Sequence, residues 1–201
     1  MQLRLSPGTM KILKNFASIN QNIVFSEGNV LRTISNSDTI FSIATIEEEI
    51  PVNAAIYDLN ALLAMISCIE GADINFGDES IEISSEFGNF TMYYCSMDVV
   101  KEPNKGTPTP DILYQFDISA EDFQLLNKAA AITGAPSLTI KGDGEKVRMS
   151  VSNRKSDTSN SFKRAVGESD QICNVFISVN NLKLIQDSYK VSIAVTKGKR
   201  K

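Results

Sequence analysis

Between Pro7 and Asn20 the only charged side chains are Lys11 and Lys14, and with Asn15 and Ser18 they recur at i, i+3, i+4 and i+7 on one helical face. No acid stands near them, because the first carboxylate of the chain is Glu27. Helix lysines commonly find a Glu or Asp one turn away, so a face without one leaves its ammonium groups to an anion from outside the chain. The alternative is a merely solubilising face. Other chemistry is harder to find. The chain has no histidine, which removes the commonest general base and metal ligand. It contains neither G-x-x-x-x-G-K-[ST] nor G-x-G-x-x-G, and Gly142-Asp143-Gly144 reads as a hairpin turn. Glu47, Glu48 and Glu49 read as a solvated loop, since consecutive residues do not converge on one side of a strand or helix to hold a cation. No nucleophile has a base beside it. These absences point to a binding or scaffold protein that is not an enzyme and carries no metal or cofactor.

The elements that must position the basic face follow from periodicity and caps. Leu3 and Leu5 alternate with Gln2 and Arg4 as a short strand, and Ser6 then caps a helix with Pro7 at its first position. Its core stripe is Met10, Ile12, Leu13, Phe16, Ala17 and Ile19. Strands are expected at 22–26, 30–35 and 39–46. A further strand at 54–57 feeds a helix from Asp58 to about Ile69, with Asp58 as N-cap. Strands at 73–76, 80–84 and 89–97 complete the first half. Residues 101–111, with three prolines and no large apolar side chain, read as a semi-rigid linker.

The pattern then returns. Phe116-Asp117-Ile118-Ser119 stands where Leu3-Arg4-Leu5-Ser6 stood, and Phe123, Leu125, Leu126, Ala130 and Ile132 repeat the apolar stripe. Strands are expected at 137–141, 146–152, 161–166 and 174–177, then a helix over 179–185 with Ser178 in the place of Asp58, then a strand at 189–195. Measured against the first copy, the second falls short by about two strands, which would expose a sheet edge. The reading is therefore an α+β protein of two similar domains, 1–100 and 112–201, joined by the linker 101–111.

At 201 residues, with 42% hydrophobic and 22% charged side chains, the composition suits one large or two small domains. No apolar run reaches membrane-spanning length and the first residues lack a signal-peptide core, so a cytoplasmic protein is expected. Cys68, Cys95 and Cys173 are scattered and odd in number, which reads as reduced core thiols. The net charge of −4 excludes a chain that coats nucleic acid with its whole surface. Its acids dominate 38–117, however, and leave room for a local basic face.

Three segments, Leu13-Lys14-Asn15-Phe16-Ala17-Ser18-Ile19-Asn20, Ala55-Ile56-Tyr57-Asp58-Leu59-Asn60 and Ala120-Glu121-Asp122-Phe123-Gln124, resemble in order and spacing the sliding clamps of the large tailed bacteriophages, the processivity factors of the phage DNA polymerase. The resemblance covers essentially the whole chain except its carboxyl end, where those clamps continue into two more strands. It implies a homotrimeric ring in the cytoplasm of the infected host, built from two DNA-clamp domains per subunit. In each domain antiparallel sheets lie outside and two short helices lie on the inner face, against double-stranded DNA. It places Lys11, Lys14, Asn15, Lys128 and Lys183 near phosphates, and it puts in doubt one contact, since alanine stands near 131 where such clamps carry a further basic residue. Subunits would join through Met92, Tyr93 and Tyr94 of one and Ser161, Phe162 and Lys163 of the next. An ATP-dependent clamp loader would open the ring. A terminal peptide of the DNA polymerase would dock at Ile34, Phe41, Pro108, Pro110 and Ile112, residues that ordinary core and linker packing explains equally well one by one. The competing reading is a two-domain, β-rich phage structural or assembly protein without a DNA role, which leaves the acid-free face unexplained.

Overall fold

The computed structural model describes residues 2–86, 88–103, 111–156 and 158–195. The chain divides into two compact units, Met1–Lys105 and Gly106–Lys201.

In the first unit β1 (Gln2–Leu3) leads into α1 (Pro7–Ile19). Ser6 caps α1 by accepting the Thr9 N–H at 3.2 Å, satisfying one of the donors a helix start leaves unpaired. At the other end the buried Asn20 donates its side-chain amide to the Ile34 carbonyl at 2.8 Å and accepts from the Asn22 N–H at 3.2 Å. β2 (Ile23–Phe25), β3 (Gly28–Ile34), β4 (Phe41–Ile50) and β5 (Ala54–Ile56) follow, pairing β2 with β5 and β3 with β4. Asp58 caps α2 (Leu59–Cys68), its carboxylate accepting from Ala61 N–H at 2.9 Å. β6 (Asp73–Phe76), β7 (Ser80–Ser85) and β8 (Gly88–Tyr93) complete an antiparallel sheet in the order β1-β6-β7-β8. Leu13 and Phe16 of α1 and Leu59, Leu62 and Leu63 of α2 pack into one core with Ile74, Ile81 and Ile83 of this sheet.

The second unit opens with β9 (Asp111–Ile118) and α3 (Ala120–Thr133), where Ser119 accepts from Asp122 N–H at 3.1 Å and Gly134 ends the helix at a left-handed φ of 63°. β10 (Ser137–Asp143), β11 (Lys146–Ser152), β12 (Ser161–Glu168) and β13 (Ile172–Ser178) form an antiparallel sheet in the order β12-β11-β10-β13. β14 (Tyr189–Val195) pairs with β9. Phe123 and Leu126 of α3 meet Leu138, Ile140, Val147, Met149 and Val151 in a second core.

Five expectations are corrected. Glu47, Glu48 and Glu49 do not form a loop, because β4 continues to Ile50 with Ile46, Glu48 and Ile50 turned inward. The strand expected over 89–97 stops at Tyr93, and Met97–Val99 forms a 3-10 turn. The helix expected over 179–185 is only a 3-10 turn at Val179–Asn181, and Ser178 makes no side-chain cap. A segment this short does not repay helix nucleation, and Asn180 and Asn181 offer the backbone competing hydrogen bonds. Finally, Gly142 and Asp143 lie within β10, so the turn falls at Gly144, whose φ of 93° suits glycine. The cysteines are free, but they are not all core thiols: Cys68 is exposed and Cys95 is half-buried, while the half-buried Cys173 packs against the second core.

Candidate nucleic-acid interface

α1 shows why a basic face can persist without internal acids. Thr9, Leu13, Phe16 and Ile19 are buried, which turns Lys11 and Lys14 outward as exposed side chains with Asn15 half-buried beside them. The orientation is fixed from behind by β4. Glu48 is 9% exposed and accepts from the Ser6 backbone N–H and the Thr9 hydroxyl, at the helix end where the dipole favours a negative charge. Burial pushes its carboxyl up, but the hydrogen bonds from Thr9 and Ser6 outweigh this and hold it below the ordinary range. The acid that the local sequence lacks thus comes from a strand about 40 residues away, and it neutralises the helix start and not the lysines.

α3 presents a different face. Lys128 is exposed, with Glu121, Leu125 and Ile132 one and two turns away along the same side. Ile132 is 85% exposed and Leu125 is exposed too, which corrects the expected stripe: the buried side chains of α3 are Phe123, Leu126, Ala129 and Ala130. Asp122, in the first turn of α3, pairs with Arg164 of β12 and ties the helix to its sheet. Lys183 does not stand on a helix. It is half-buried in the stretch after Val179–Asn181, where Tyr189 donates its hydroxyl to the Ile185 carbonyl and Ser188 accepts from Ala120 N–H at 3.1 Å.

Met92 and Tyr93 lie on β8 and Ser161, Phe162 and Lys163 on β12, each strand an edge of its own four-stranded sheet among the described residues. Tyr93 is 74% exposed. Tyr94 follows the strand, its N–H donating to Glu79 at 3.0 Å and its hydroxyl to Gly77 at 3.1 Å. Ile34 and Phe41 face each other across β3 and β4, beside the exposed Ile43. Ile112 is exposed on β9 in the other unit, while Pro108 and Pro110 lie outside the described residues. Among the described residues no cluster of His, Cys, Asp and Glu is arranged to hold a metal, and no helix is long and apolar enough to cross a membrane.

Residues that sequence reasoning missed are Glu48 and Arg164, whose partners are distant in the chain. Alternation of Ile46, Glu48 and Ile50 was the available signal for the first. For the second there was none.

The family model for the DNA polymerase processivity factor matches residues 6–94. The sliding clamp of Escherichia phage RB69 is 30% identical over 200 residues, covering 95% of this chain and 87% of its own. The sliding clamp of Vibrio phage KVP40 is 28% identical over 199 residues, covering 95% and 90%. Among solved structures, the proliferating cellular nuclear antigen of Entamoeba histolytica superposes with a TM-score of 0.67 at 13% identity, over 96% of this chain and 88% of its own. That last likeness is one of fold.

Proposed function

Because the chain belongs to the phage sliding clamps, the DNA polymerase processivity factors, we propose that it acts as a homotrimeric ring closed around double-stranded DNA, with Lys11, Lys14 and Asn15 of α1 and Lys128 of α3 set against the phosphates. Lysines that meet phosphates without reaching base edges attract any sequence equally and weakly, so the ring holds by encirclement and slides. Retention is therefore mechanical and not catalytic. Lys183 belongs to this set as a contact from an irregular segment. The edges of β8 and β12 suit a head-to-tail contact between subunits, since a heterologous interface closes into a ring when its rotation allows. Ile34, Phe41 and Ile43 offer an apolar patch on the β3–β4 face for a terminal peptide of the polymerase. An ATP-dependent loader that opens the ring, and action in the host cytoplasm, complete the reading.

The observation that carries it is the acid-free exposed face of α1. The K11E/K14E variant replaces two cations per subunit by two anions while leaving Leu13, Phe16 and Ile19 in the core. Its thermal unfolding and its solution mass should match the wild type. Primer extension on long templates should become distributive at low salt, with the wild-type advantage narrowing as salt screens the contacts. Wild-type product lengths at low salt would refute the assignment of α1 to DNA.

A further inference from the structure

The solvent face of the sheet in the second unit carries cations that its folding does not need. Residues of β10 and β11 alternate, so Leu138, Ile140, Val147, Met149 and Val151 are buried while Lys141 and Arg148 point to water. Lys141 stands directly opposite Arg148 in the register of these strands. Like charges in that relation destabilise a sheet, and Asp143, which pairs with Arg148, relieves it in part. On the next strand Lys163 stands opposite Ser150, exposed on the same face. Lys141, Arg148 and Lys163, with Thr139, Asp143 and Ser150, line one shallow concavity. Among the described residues of these four strands the carboxylates are Asp143 and Glu168, the latter opposite Lys146. Asp143 is well below the ordinary carboxylate range, held there by the Lys146 backbone N–H, the Arg148 guanidinium and the Glu145 N–H, so it is committed to the turn.

The other side of the same face adds an aromatic. Phe176 of β13 pairs with Thr139, is 42% exposed, and carries the Arg154 guanidinium 3.3 Å above its ring centroid. Lys155 is exposed beside it. Adjacent strands lie about 4.8 Å apart. The cations therefore span a stripe on the scale of successive phosphates, ending at a guanidinium–aromatic stack of the sort that receives unpaired bases.

We propose that this face is a second nucleic-acid contact, separate from the helices, which takes single-stranded DNA through its phosphodiester backbone with an unpaired base at Phe176 and Arg154. An acidic peptide would use the cations and leave the aromatic idle, and a duplex would offer that ring no unstacked base. The charge stripe and the stack together select the single strand.

The test uses the full-length K11E/K14E protein, so that the helix face contributes no attraction and the failure of either reading is seen separately. A labelled oligothymidylate of about 20 nucleotides is titrated by fluorescence anisotropy at low and moderate salt. Binding should be measurable, and adding K141Q and K163Q, which must leave the solution mass unchanged because Lys163 stands on the β12 edge assigned to the subunit contact, should weaken it about tenfold and lower the salt slope by about 1.4, at roughly 0.7 per cation. Phe176→Leu, compared at equal thermal stability, should weaken it about tenfold by loss of stacking, with the salt slope unchanged. No binding in the K11E/K14E background, or unchanged binding in the sheet variants, overturns the proposal. So does a polyglutamate peptide or a duplex of equal length that binds as tightly as the oligothymidylate.

Discussion

Glu48 sits behind the first turn of α1 and takes up the Ser6 N–H and the Thr9 hydroxyl, while Thr9 itself is only 2% exposed. A buried carboxylate is tolerable only when its charge is met, and a helix start supplies both donors and a favourable dipole. Replacing Glu48 by Gln keeps one acceptor and removes the charge, so it should cost about 1.5–3 kcal/mol of stability at pH 7 by urea unfolding, the range for hydrogen bonds to charged groups. The same comparison at low pH fixes the sign. The folded carboxyl is held below its ordinary 4.5, so its contribution is fully present above that value and is lost as pH falls through the lower folded one. The stability gap between wild type and E48Q should accordingly shrink as the buffer is taken from pH 7 to well below the ordinary 4.5. A gap independent of pH would mean that the carboxylate charge is not what holds the helix start.

Strand edges and caps decide more of this molecule than any single side chain. Tyr94 donates its N–H inward to Glu79, and since successive amides of an extended strand point to opposite sides, the Tyr93 N–H points to the open edge of β8. Tyr93→Pro thus removes a donor from the free edge and leaves the β7–β8 ladder intact. If β8 is the ring contact, this variant should sediment as monomer at micromolar concentration with its unfolding temperature little changed, whereas a persistent trimer would move the interface elsewhere. The second-unit counterpart of α2 supplies another measurement. Amides of 184–187 should exchange rapidly in hydrogen exchange, in contrast to the protected core of α2, because only a single 3-10 turn without a side-chain cap precedes them. These contrasts also show what the sequence makes legible. The caps Ser6, Asp58 and Ser119 act on residues three positions away, and Leu13, Phe16 and Ile19 of α1 and Phe123 and Leu126 of α3 repeat within their helices, so these can be read locally, whereas Leu125 and Ile132 fit the same apolar pattern and are exposed. The inward turn of Glu48, the Arg164–Asp122 pair and the meeting of Lys141, Arg148 and Lys163 depend on the register of distant strands, which no local pattern contains. Val179 to Ile185 misled for the opposite reason, since it copies the helical pattern without the length or the alanines that let α2 form.

A molecule with a net charge of −4 that works on DNA must keep its cations local, because a polyanion is repelled by the chain as a whole and attracted only at close range. Few and exposed lysines give an association that salt abolishes easily if it depends on attraction alone. A closed ring adds a barrier of another kind, since DNA without a free end cannot leave until a subunit contact opens. Affinity and retention should therefore separate. Once placed on nicked circular duplex, the protein should remain on it through gel filtration at about 0.5 M salt, where screening confines electrostatic attraction to a few ångströms. Cutting the same circle once with a restriction enzyme should release it by sliding off the ends. K11E/K14E, if loaded at all, should show the same dependence on topology, because its ring contact is untouched, whereas Tyr93→Pro should be lost from circle and line alike. Equal loss of the wild-type protein from circular and linear DNA would show that it binds by contact and not by encirclement, and the homotrimeric ring would have to be given up even though the fold and the family stand.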